Sequence, residues 1–222
     1  MDVEEVAKKY GIDLKKLEQE QKKLAKELKI LDSIDFNLID KIGAIDNAFF
    51  KNNIISACIV LTPELEVIEQ EYFSDKLKFP YISGFRSYRE IPSMVEAFNK
   101  LEERPDVIFI PGHGIAHPRL GLASHFSIST GVPTIGVANS LLEGEVKGDD
   151  IIAGGKKVGK TLVSKPGSKP MYVSPGNLIS IKTALELSSK FVRLPHKLPE
   201  PLHLAHKYSK EIREEVFGKL EP

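Results

Sequence analysis

The sequence predicts an α/β protein built on a mixed sheet, on three observations. Three runs rich in Ile and Val, KIGAIDNAFF, IISACIVL and LEVIEQEYF, follow one another with only short polar breaks, the pattern of consecutive antiparallel strands. From SYREIPSMVEAFNKLEERP to VPTIGVA, helical and fully apolar stretches then alternate, the signature of parallel strands joined by crossovers and covered on both faces. The chain has 222 residues, 41% of them apolar, which suffices for one sizeable core.

Each element has its own warrant. Residues 1–32 are dense in Lys, Glu and Gln, with Leu14, Leu17, Leu24 and Leu28 at helical spacings. They read as one amphipathic helix with a short connector, part of or packed on a main domain over 33–222. Its charges read as a solvated face. LTPE marks the turn between the second and third strands, and KFPYISGF is a Pro-containing loop. The helix beginning near Arg86 carries an apolar stripe of Ile91, Val95, Phe98 and Leu101 and is ended by Pro105. DVIFI is a short buried strand, PRLGLASHFSIST a helix and VPTIGVA a strand. Lys156 to Lys165 and Pro170 to Ser174 read as a hairpin joined by SKPGSK, with helices following over about 180–192 and 199–217. There is no internal repeat and no low-complexity segment.

Composition bounds the function. Thirty-one basic residues balance 31 acidic ones, so no overall positive field marks a nucleic-acid partner, and any such contact must come from a local patch. The lone Cys58 lies in IISACIVL, which excludes an intrachain disulfide and reads as a buried, inert thiol suited to a reducing compartment. The N-terminal stretch has no apolar leader core, and no run approaches the ~18 apolar residues of a membrane span. The expectation is a soluble, cytoplasmic protein without a membrane partner.

Three antiparallel strands leading into alternating helices and parallel strands is the order of a ribonuclease-H-like sheet, but fold order alone is a weak warrant for function. Chemistry must come from particular residues. Asp46 lies inside an otherwise apolar strand, where an unpaired charge costs several kcal/mol and a metal ion would relieve it. A carboxylate hydrogen-bonded to nearby backbone remains the alternative. Glu90, read as lying in the first turn of its helix, is by itself more often a dipole partner or capping-box member than a ligand. Glycines in GHG allow close approach to the main chain, although a plain strand-to-helix loop has the same composition. His117, before Pro118, is either a tautomer-selected hydrogen-bonding group or a cap.

Five stretches in order, FPYISGFRSYRE, PDVIFIPGHGIAHPRLGLASH, VPTIGVANSLLEGEVKG, KPMYVSPGNLIS and LPEPLHLAHKYSK, resemble the successive motifs of the endonuclease V family, across about residues 40 to 210. The resemblance implies a ribonuclease-H-like fold and recognition of DNA or RNA containing deaminated bases, inosine above all. It also implies metal-dependent hydrolysis of a nearby 3′ phosphodiester bond, with Mg²⁺ or Mn²⁺ as the cofactor. Carried over by position, Asp46 and Glu90 are metal ligands, and His206 is a catalytic histidine beside the scissile phosphate. Pro80, Tyr81, Ile82 and Ser83 match the wedge that fills the space left by an extruded base, an event costing a few kcal/mol that a stacking ring partly offsets. Gly112, Gly114, His117 and Gly121 match the loop lining the base pocket, and Ser174, Gly176 and Asn177 match a loop along the nucleic-acid backbone.

Two departures stand out. The family pattern has Asp immediately before the glycine loop, where this chain has Pro111, and Lys where it has Asn139. Proline has no side chain able to hold a metal, and the amide removes a cation from the centre. Losing a positioned charge of this kind costs roughly 10²- to 10³-fold in rate. The sequence therefore supports two readings, an impaired endonuclease and a paralogue that binds without cutting.

Overall fold

The structure, a computed structural model, describes residues 3–218. Nine strands form one sheet in the order β3-β2-β1-β4-β5-β9-β8-β7-β6. Strands β1 (Ile42–Phe50), β2 (Asn53–Leu61) and β3 (Val67–Lys76) are antiparallel, as their sequence predicts. Strand β4 (Val107–Pro111) runs parallel to both β1 and β5 (Thr134–Ala138). The sheet then continues antiparallel through β9 (Met171–Asn177), β8 (Lys156–Leu162), β7 (Asp150–Ala153) and β6 (Glu145–Lys147).

Strand alternation decides which helix layer each side chain meets. On one face Ile42, Ala44, Phe109 and Ile135 pack with Phe191, Leu202 and Ala205, beneath α5 (Ile181–Lys190) and α6 (Glu200–Phe217). On the other, Ile45, Cys58, Ile108 and Ile110 pack with Met94, Phe98 and Phe126 of α3 (Arg86–Asn99) and α4 (Leu122–Thr130). Burial on both faces explains why these strands read as continuous apolar runs rather than alternating ones. Each fully buried Phe or Ile in them contributes about 1.5–3 kcal/mol. Cys58 is fully buried, and burial pushes its thiol pKa upward, as expected for an inert core residue.

One detail of register prepares the site. The β1–β4 pairing covers only Ile42↔Val107 to Ala44↔Phe109, whereas β4 stays paired with β5 as far as Pro111↔Val137. Past Ala44 the two parallel strands are no longer bonded to each other. Asp46 and Pro111 both lie in this separated stretch.

The structure corrects four expectations. The single N-terminal helix is two, α1 (Val3–Tyr10) and α2 (Leu14–Leu24), because Gly11 adopts φ 65° and Asp13 caps the second by accepting from the Lys16 amide. The first two residues of that expected helix lie outside the described residues. The helix placed over PRLGLASHFSIST begins only at Leu122, since Pro118 to Gly121 form part of the glycine loop. Glu90 is the fifth residue of α3 and so stands in its second turn. Strands β6 and β7 went unrecognised because they are only three and four residues long, and β6 is exposed throughout.

Candidate functional site

The two expected carboxylates have separate partners. Asp46 shares a face with Ala44 and points into the α6 layer, where His206 Nδ1 donates to its Oδ2 at 2.7 Å and Ser209 Oγ at 3.1 Å. The pairing fixes the imidazole tautomer, leaving Nε2 as the free ring nitrogen of a half-exposed side chain. Glu90 reaches the sheet from the α3 layer and is 2% exposed. The next residue in β1, Asn47, points to that side and donates to Glu90 Oε2 at 2.7 Å, while its own carbonyl accepts from Ser56 at 2.6 Å. Asp46 and Glu90 share no hydrogen-bond partner among the described residues.

A guanidinium completes the Glu90 environment. Arg86 Nε donates to Glu90 Oε1 at 2.5 Å, and Nη2 donates to Oε2 at 2.9 Å. Its Nη1 donates to the Pro111 carbonyl at 2.8 Å. Helix geometry produces the pair, since Arg86 and Glu90 are four residues apart in α3. Both carboxylate oxygens are therefore taken up, three donors converge on them, and the charge is neutralised within the protein. Arg86 bridges the helix to the end of β4, at the position where the sequence supplies proline.

Beside this centre lies a cavity of about 410 Å³ lined by Tyr81, Arg86, Gly112, His113, His117, Leu122, Asn139 and others. Tyr81 is 67% exposed at its rim, while Ile82 is buried beneath and Pro80 and Ser83 flank them. Behind the wall formed by Gly112 and His113, main chain packs at close quarters. A Cβ on Gly114 would fall 2.0 Å from the Pro175 carbonyl, and one on Gly121 would fall 2.1 Å from that of His113, so both positions require glycine. His113 and His117 have their pKa values lowered, chiefly by burial, His117 to about 4 with Arg119 adding repulsion. The Arg119 amide donates to His117 Nδ1 at 3.1 Å, so the neutral ring carries its proton on Nε2.

Ser174, Gly176 and Asn177 are buried in β9 and bonded internally. Ser174 Oγ accepts from the Gly114 amide at 2.9 Å, the Gly176 carbonyl accepts from Ser124, and Asn177 Oδ1 accepts from the Lys29 amide. They support the glycine loop from behind. Sequence reasoning missed a second support. The fully buried Gln21 donates to the Gly84 carbonyl at 3.0 Å and accepts from Arg119 Nε at 2.7 Å, while Arg119 also lies over the Phe85 ring. Helix α2 thereby ties the wedge loop to the glycine loop. Arg86 was missed too, although its spacing of four from Glu90 was visible.

The sheet order and the cleft at the separated strands define a ribonuclease-H-like protein with a cavity beside the buried Glu90. Comparison with known proteins makes this specific. The family model described as Endonuclease V matches residues 22–207. Endonuclease V of Thermosipho melanesiensis is 36% identical over 211 residues, covering 90% of this chain and 92% of that one. The protein of the same name from Archaeoglobus fulgidus is 34% identical over 212 residues, covering 92% and 96%. The crystal structure of endonuclease V from Bacillus subtilis superposes with a TM-score of 0.85 at 27% identity, over 93% of this chain and 95% of that one. That of Ciona intestinalis, in complex with a 24mer DNA containing an inosine followed by a ribo-adenosine, gives 0.84 at 26% identity, over 91% and 98%. The chain belongs to the endonuclease V family, a family of metal-dependent nucleases acting on nucleic acid.

A divalent ion does not fit the carboxylates as they are arranged here. Glu90 is already neutralised by Arg86, the Pro111 carbonyl accepts from the same guanidinium, and Asp46 is held by His206 and Ser209. Among the described residues these acids do not form a group of three converging metal-binding side chains.

Proposed function

We propose that this protein recognises nucleic acid carrying a deaminated purine, inosine in the first instance, and that its hydrolysis of the neighbouring 3′ phosphodiester bond is lost or severely weakened. One observation carries the reading: the Arg86 guanidinium sits on Glu90 and the Pro111 carbonyl, so a protein cation stands where hydrolysis would call for a bound metal. Mg²⁺ or Mn²⁺ would have to displace it to bind Glu90. The recognition half supports the other part of the proposal. Tyr81 at the rim can stack in the space left by an extruded base, Gly112 and His117 line the cavity the base would enter, and Gly114 and Gly121 hold that wall in place by packing against the main chain behind it. Pro80, Ile82 and Ser83 position the ring, and Ser174, Gly176 and Asn177 act beneath the loop.

A second reading, residual cleavage, is favoured by the Asp46–His206 pair, which keeps a histidine oriented beside the cleft. The two separate cleanly. End-labelled single strands of DNA and of RNA, each with one inosine or one adenosine, are incubated with the protein in Mg²⁺ and in Mn²⁺. The proposal expects preferential retention of the inosine strand, weakening steeply with salt because the contacts include phosphates, and no product. Changing Pro111→Asp, Asn139→Lys and Arg86→Leu together should bring cleavage back. Turnover by the unmodified protein would refute the loss of hydrolysis, and equal retention of both strands would refute the recognition.

A further inference from the structure

We infer that His196, Glu200 and His203 form a metal site of their own, suited to a borderline divalent ion of the Zn²⁺ class, at the start of α6. Their donor atoms all lie within 4.8 Å of one another, in a set separate from Asp46 and Glu90. Glu200 is the first residue of α6 and His203 the fourth, so the helix presents them one above the other, and His196 arrives from the loop before it. His196 Nδ1 lies 2.8 Å from Glu200 Oε2, and the two imidazole rings stack at 3.5 Å with their planes 17° apart. The His196 side chain is 35% exposed and that of Glu200 14%, which leaves an entry route from solvent without dispersing the cluster.

The donor set decides the ion. Two imidazoles and one carboxylate suit Zn²⁺, Co²⁺ or Ni²⁺, whereas Mg²⁺ takes oxygen ligands and keeps its waters. Tetrahedral ligation at about 2.0–2.2 Å sets donors roughly 3.3 Å apart, a spacing bracketed by the distances present. Capture requires the stacked rings to turn about their side-chain torsions until their lone pairs converge, and their place at the protein edge permits it. Three protein ligands leave a fourth position for water or a phosphate oxygen.

Position gives the site a consequence. Lys197, next to His196, donates from Nζ to Asn139 Oδ1 at 3.2 Å, and Asn139 lines the cavity beside Arg86. A metal joining His196 to α6 would clip this loop, and with it one side of the cavity rim, to the helix that carries His206. The proposal stands independently of what the cavity binds.

Chelator-treated protein titrated with Zn²⁺, Co²⁺ and Mg²⁺ in a calorimeter provides the test, with absorption spectra recorded for Co²⁺. We expect one Zn²⁺ per chain, Co²⁺ bands of a four-coordinate nitrogen and oxygen site, and no matching response to Mg²⁺. His203→Ala should weaken Zn²⁺ roughly tenfold or more, at least the loss typical of removing a ligand's supporting partner. Asp46→Asn should leave Zn²⁺ affinity unchanged. Absence of Zn²⁺ binding, or binding that persists when His196 and His203 are both replaced, would overturn the site. Should the variants fail to fold, the titration of the unmodified protein decides, since failure to bind one Zn²⁺ per chain in preference to Mg²⁺ is incompatible with this cluster.

Discussion

The two halves of the cleft differ in what holds them. Around the glycine loop the geometry rests on main chain: Gly114 against Pro175, Gly121 against His113, and the Ser174 hydroxyl beneath the Gly114 amide. Around Glu90 it rests on a balance of charge, one buried carboxylate against one guanidinium. A wall of backbone tolerates substitutions at its margin, because each glycine is required by a contact that those substitutions do not touch. A charge balance does not tolerate them, since one proline and one arginine together turn a centre that could attract a cation into one already neutral. Recognition and hydrolysis can therefore part company within one cleft.

The largest expected effect tests the charge side. Arg86→Ala leaves Glu90 buried with only Asn47 as partner, and breaking a buried pair in this way costs about 3–5 kcal/mol. Because Arg86 is itself partly exposed, we expect the lower end, read as a fall in the urea midpoint at unchanged slope. Replacing Glu90→Gln in the same chain should recover most of the loss. If the single substitution costs nothing, Arg86 is ornamental and the contrast between the halves fails.

Tyr81→Ala tests the other side with a smaller effect. The ring is mostly exposed, so its loss should leave the unfolding free energy within about 0.5 kcal/mol of the parent. Binding of an inosine-bearing strand should weaken by the roughly 1–3 kcal/mol of one base–aromatic stack. A Tyr81→Ala protein that binds as tightly as the parent would place recognition elsewhere than at this rim.

The same contrast explains what could be read from the chain. Strands β1, β2 and β4 were legible because burial on both faces leaves unbroken Ile and Val runs, and α3 because its apolar stripe is long. The motifs from FPYISG to LAHKYS pointed to the cleft because glycines and prolines fix backbone locally. What stayed hidden depends on distant partners. Gln21 sits among solvated charges in the sequence, yet it is fully buried between Gly84 and Arg119, 63 and 98 residues away. Arg86 reads as a helix surface charge until the end of β4 is brought to it. The break at Gly11 was written in the sequence, but the shared Lys- and Glu-rich composition on its two sides masked it.

Acid should loosen the glycine-loop side of the cleft. His117 has a pKa of about 4 against an ordinary value of 6.5, and those of His113 and His125 are lowered in the same direction, each chiefly by burial. A histidine whose folded pKa is depressed is neutral in both states above about pH 6.5 and contributes no pH dependence there. As pH falls below that value the unfolded chain takes up protons that the folded chain refuses, and stability declines until the native ring protonates near pH 4. The loss is on the order of 1 kcal/mol for each pKa unit of depression, reduced for a ring that retains some contact with solvent. Protonation at Nδ1 would also break the bond from the Arg119 amide, so the glycine loop is the region expected to open first. Thermal unfolding followed from pH 8 to pH 4 should show a plateau and then a decline, shallower in His117→Asn, and an unaltered decline in that variant would assign the acid sensitivity to the other two rings.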